Sequence, residues 1–337
     1  MKHRSYTKLD TVGKTNGLAS WLFTITIFGL IGFGFTYRQQ ILDTIKLYNY
    51  VAPSSIAQLA TEDTMTPDTR RIFYVNRPLL QDKATFKAAC PNGGGEKTII
   101  LGCYHGNQNG IFLYQVADSR LNGVTQVTAA HELLHAAYDR LSSGERQRID
   151  TMLVRYYQND LKDQRIKDTI DGYKKSEPKD VVNEMHSIFG TEVTKLPADL
   201  ESYYSRYFTN RSKITDFTNQ YQAEFSSRQA LIKQDDAQLL DLKQKIETLE
   251  AALGGQQAQI TTRQQELLDR RKSGDTAGYN AGVAGYNSLI DDYNRQVRLV
   301  QSLVSQYNQL VASRNEIASQ VAELSNALSS NATQLNQ

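Results

Sequence analysis

The chain has 337 residues, 40% of them hydrophobic, with 38 Lys and Arg against 36 Asp and Glu. This length predicts two or three folded units, and a net charge of only +2 argues against a dedicated nucleic-acid binder, which carries a clear basic excess. Two cysteines are too few for a Cys-rich zinc site, and with only five histidines any pattern among them is informative.

Residues 1–17 carry Lys2, Arg4, Lys8 and Lys14, and residues 18–37, LASWLFTITIFGLIGFGFTY, carry no charge. Twenty apolar residues at ~1.5 Å each match a bilayer core of ~30 Å, with Trp21 and Tyr37 near the two interfaces. The expectation is an uncleaved single-pass membrane anchor. Positive charge before it places residues 1–17 in the cytoplasm and residues 38–337 outside. Residues 38–60 read as a stalk.

Residues 61–212 hold both cysteines and four of the five histidines, and read as the globular domain. RIFYV at 71–75, TIILG at 98–102 and IFLYQV at 111–116 resemble strands, the last two separated by the turn HGNQNG. Helical patterns follow from Val127. Strands first and helices after give an α+β fold class. Cys90 and Cys103 flank a glycine-rich stretch, CPNGGGEKTIILGC, and are expected to form one disulfide closing a hairpin.

Within VTAAHELLHAAYDRL, His131 and His135 are one helical turn apart and project from one face, so both imidazoles can reach one tetrahedral ion. Glu132 lies about 100° further round the helix. There it misses direct coordination but can take a proton from a water that zinc has acidified. No Pro or Gly interrupts the helix, and Val127, Ala130, Leu134, Ala137 and Leu141 follow 3–4 spacing. A Zn2+ site is the expectation.

A third ligand is needed, and His105, Glu184 and His186 are the candidates. EPKDVVNEMHSIFGTE starts like a helix, with Ser176 as cap and Pro178 in its first turn. Glu184 and His186 are two apart and so lie on different faces. HELLH followed by NEMHS on a second helix resembles the gluzincin class of zinc metallopeptidases, a likeness covering roughly residues 70–210. The resemblance implies a zincin-like domain with Glu184 as third ligand, Glu132 as general base and acid, and a peptide or protein substrate. It also implies a His or Tyr that stabilises the oxyanion, for which His186, Tyr203, Tyr204 and Tyr207 are available. The aspartate that many gluzincins place four residues after the glutamate is Ile188 here. The strand at 111–116 is expected at a sheet edge, where it would bind an extended peptide.

From residue 213 to 330 there is no proline, cysteine or histidine. Phe225, Ile232, Leu239, Ile246, Leu253, Ile260 and Leu267 recur every seven residues. Beyond KSGDTAG at 272–278, Tyr279, Tyr286, Tyr293, Val300 and Tyr307 do the same, with Val283, Ile290, Val297, Val304 and Val311 in a second seam. This predicts an antiparallel coiled-coil hairpin, followed by a tail at 331–337. Such a hairpin could also hold a coiled-coil partner or a homo-oligomer. Two functions from different classes follow: an anchored extracytoplasmic zinc endopeptidase, or a cell-surface scaffold with structural zinc that acts through its hairpin.

Overall fold

The structure is a computed structural model that describes residues 37–91 and 101–329, with isolated positions before them. Helices dominate. The head comprises α1 (Arg38–Leu47), α2 (Ser54–Glu62), α3 (Pro67–Val75), β1 (Leu79–Gln81), α4 (Lys83–Ala89), β2 (Gly102–His105), β3 (Gly110–Tyr114), α5 (Val124–Tyr138), α6 (Ser143–Asn159), α7 (Gln164–Ser176), α8 (Val181–Glu192) and α9 (Ala198–Tyr204). Two long arms follow, α10 (Ser212–Lys272) and α11 (Thr276–Leu328).

The α+β expectation is therefore corrected to a mostly helical chain with one small three-stranded sheet, ordered β1-β3-β2. Residues 71–75, expected as a strand, form the end of α3. Thr66 caps that helix by accepting from the Thr69 N–H, and Pro67 occupies its first turn. These local start signals outweigh the weak strand preference of the β-branched and aromatic residues behind them. Of the expected strand at 98–102, residues 98–100 lie outside the described residues and Gly102 begins β2. β3 pairs with β1 in parallel and with β2 antiparallel. It is the central strand, so the edge role expected for 111–116 is removed.

The membrane anchor is also corrected. Among the described residues no helix is long and apolar enough to cross a membrane, and much of 18–37 lies outside them. A charge-free run is necessary for a span but does not by itself establish one. The placement of residues 38–337 outside a membrane rested on that span and falls with it. The expected stalk packs onto the head instead. Ile56, Leu59 and Ala60 enter the core, and buried Asp43 accepts both guanidinium arms of Arg140, at 2.8 and 3.0 Å.

The core is built around α5, which is buried along nearly its whole length. It packs on α8, on β2 and β3, and on the root of α10. Gly123 precedes it with φ of 96°, and a Cβ there would come within 2.9 Å of Phe217 Cβ. Glycine thus meets both the left-handed conformation and the close approach of α10. The Cys90 and Cys103 sulfurs are at disulfide distance, with Cα atoms 6.3 Å apart, which ties the end of α4 to β2.

The arms contain 61 and 53 residues, roughly 90 and 80 Å at the α-helical rise. They turn through Ser273–Asp275, where Gly274 takes φ of 81° and Asp275 caps α11 by accepting from the Gly278 N–H. Arg314 reaches Asp236 at 3.0 Å and Arg228 reaches Gln320 at 3.2 Å, so the arms run antiparallel. At their base, Leu324 and Leu328 pack with Leu121 and Val124 of the head.

Candidate metal centre

α5 and α8 bring three ligand atoms together. His131 Nε2 lies 3.1 Å from His135 Nε2, and the Glu184 carboxylate oxygens lie 3.6 Å from His131 Nε2 and 3.5 Å from His135 Nε2. Ligands at ~2.0–2.1 Å from a tetrahedral ion stand about 3.4 Å apart, so these separations suit a metal ion. The chemistry of the group suits one as well. Two imidazole nitrogens face each other and a carboxylate, and Glu184 Oε2 makes no hydrogen bond among the described residues although it is buried. Such a convergence of lone pairs wants a cation at its centre.

The local sequence explains the placement. On α5 the separation of four stacks the two histidines on one face. α8 begins later than the sequence suggested. Ser176 ends α7 and Glu177 leaves the helical region with φ of −132°, as the residue before a proline does. α8 then starts at Val181, which puts Glu184 in its first turn, level with the histidines. Burial raises the Glu184 carboxyl, but the His135 and His131 imidazoles beside it outweigh this and hold it below the usual glutamate value.

Glu132 is buried beside the three ligands. Burial pushes its carboxyl up to about 7; His135 opposes this, Glu184 adds to it, and the Tyr104 backbone N–H lowers it by donating a hydrogen bond. β2 lies directly on this carboxylate because residue 102 has no side chain. A Cβ on Gly102 would sit 2.6 Å from Glu132 Oε1 and from Thr128 Cγ2.

A cleft of about 450 Å³ opens over this group, walled by residues 102–106 of β2 and its turn, by α5, and by Tyr173, Asn183 and Glu184. His105 lines it too, but its Nε2 lies 3.6 Å from Cys103 Sγ and the metal group forms without it. The residues expected to stabilise an oxyanion sit elsewhere. His186 is buried, two positions and so about 200° round α8 from Glu184. Its Nε2 is 2.8 Å from the Tyr203 hydroxyl, which lies 3.0 Å from that of Tyr207, while Tyr204 donates to the His186 carbonyl. This aromatic cluster is buried and does not line the cleft. Burial, reinforced by His135 and His131, pushes the His186 imidazole down to about 3, so it is neutral. Tyr173 of α7 does line the cleft. Sequence reasoning passed over it because one tyrosine among nineteen carries no positional signal.

Compared with protein-family models, curated proteins and solved structures, the chain matches none.

Proposed function

We propose that the chain is a zinc-dependent peptidase, with His131, His135 and Glu184 as metal ligands and Glu132 as general base and acid. The observation that carries this reading is the convergence of three ligand atoms from two helices in an open cleft, with a second buried carboxylate, Glu132, beside them. When bound, zinc supplies a Lewis acid that acidifies water and polarises a carbonyl.

The chain's own residues do the rest. Glu132 takes a proton from the attacking water and returns it to the departing amine, two transfers within reach of one carboxylate. The Tyr104 N–H holds that carboxylate against β2, while its burial excludes bulk water. Among the described strands β2 forms the sheet edge beside the cleft. An extended peptide aligned along β2 would bring its backbone carbonyl over the metal group, with main-chain hydrogen bonds supplying register. Tyr173 also lines the cleft, and its hydroxyl is the donor we assign to the carbonyl oxygen as charge develops on it.

The test is hydrolysis of an unstructured polypeptide by the zinc-loaded full chain and by Glu132→Gln. The expected result is a loss of about 10²–10⁴-fold in turnover with zinc content unchanged. Equal turnover in the two proteins, or none in the zinc-loaded wild type, overturns the reading.

A further inference from the structure

A second group of ligand atoms lies on the wall of the same cleft. Cys90, Cys103 and His105 offer two sulfurs and a ring nitrogen, all within 4.8 Å of one another. Cys103 and His105 are two apart on β2 and project from one face of the strand. The His105 ring packs 4.9 Å from the Phe112 ring, which fixes the direction it faces. Cys103 Sγ and His105 Nε2 are 3.6 Å apart. A tetrahedral zinc with bonds of ~2.3 Å to sulfur and ~2.0–2.1 Å to nitrogen sets its S and N ligands about 3.6 Å apart. Two of three ligands thus stand at coordination distance while the sulfurs are still joined to each other. Cys90 follows the last residue of the helix α4 while Cys103 and His105 share β2, so only the ligand from α4 has to withdraw to admit an ion.

We propose that Cys90, Cys103 and His105 form a second zinc site that is masked by the disulfide and uncovered by its reduction. This does not depend on the peptidase reading. A phosphine reductant cleaves the S–S bond and is oxidised to its oxide, with water supplying the oxygen and the two hydrogens that leave both sulfurs as thiols. Each thiol then gives its proton to solvent as its thiolate binds the ion, and two thiolates with one imidazole favour zinc over harder divalent ions. The site replaces one cross-link by another. With the disulfide closed, α4 is held to β2 covalently; with it open and zinc present, the ion joins the same two elements. The cleft wall then stays tethered under oxidising and reducing conditions alike.

Zinc per chain, measured on the full-length protein after dialysis with and without phosphine, tests this. The reduced chain should hold one more equivalent than the oxidised chain, whatever the count at His131, His135 and Glu184. His105→Ala should remove the extra equivalent from the reduced chain and leave the oxidised count unchanged. With cobalt in place of zinc, only the reduced wild type should gain a thiolate-to-cobalt charge-transfer band. A paired His131→Ala, His135→Ala variant should still gain one equivalent on reduction. Equal counts in the two redox states, or an extra ion that survives His105→Ala, overturn the proposal.

Discussion

In the head, Phe73, Phe86, Phe189 and Tyr204 are buried completely, whereas in the arms the heptad residues Ile232, Leu239, Tyr286 and Tyr293 stay half-buried and Val304 faces solvent. The difference follows from geometry. Two helices cover only one side of each other, so a two-helix hairpin has a seam but no interior. The head surrounds α5 with helices on several sides and with a sheet, and close packing there makes single added atoms costly. Head and arms should therefore answer the same kind of substitution with opposite signs.

The largest effect belongs to His131, His135 and Glu184, the group proposed to hold zinc. His135→Ala should abolish bound zinc at that site and with it all measurable hydrolysis, read by metal content and turnover on the same sample. An arm shortened by whole heptads beyond the base should leave both unchanged. Next comes Gly190→Ala in α8. A Cβ there would lie 2.4 Å from Leu134 Cδ1 and 2.8 Å from Tyr204 Cε1, so overpacking should destabilise the head by about 1–3 kcal/mol in urea unfolding.

Asp63 sharpens the contrast through pH. It ends α2 fully buried, with neither carboxyl oxygen hydrogen-bonded among the described residues, and burial, with Glu62 adding, raises its pKa well above the usual aspartate value. A raised folded pKa means the native state keeps a proton that the unfolded state releases. The stabilisation is thus complete below the unfolded pKa and declines as pH rises through the folded one. The slope approaches about 1.4 kcal/mol per pH unit between the two values. Asp63→Asn should flatten this decline, measured as the urea midpoint against pH. The smallest effect lies in the arms. Gly254→Ala and Gly255→Ala meet nothing within 4 Å and should stabilise α10 by up to about 1 kcal/mol each, seen as a rise in the thermal midpoint of the arms.

The same comparison explains what the sequence could say. A four-residue separation on a helix fixes relative side-chain direction without reference to the rest of the fold, which is why His131 and His135 could be paired from their spacing alone. The heptads of the arms are local in the same sense. Which face of a helix meets a cleft depends on tertiary packing. His186, Tyr204 and Tyr207 looked available near Glu184, but their faces turn inward, while Tyr173 on the preceding helix reaches the cleft. RIFYV has strand-forming residues, yet the cap at Thr66 and the proline after it start a helix that runs through Val75. β1, only three residues long, exists because β3 offers it an edge, and no composition signal marks it.

Arg211 stands where the two regions meet. From the residue before α10, its guanidinium donates to the Val193 carbonyl at 2.6 Å and to Thr194 at 3.2 Å, both at the end of α8, and it also pairs with Glu201. About two turns further on, Thr218 donates to the Thr191 carbonyl. The helix that carries Glu184 is therefore gripped at its far end by the root of a lever some 90 Å long. A sideways load on the tips of the arms is borne at this joint, so whatever tilts the lever acts on the same rod that sets the depth of the Glu184 carboxylate.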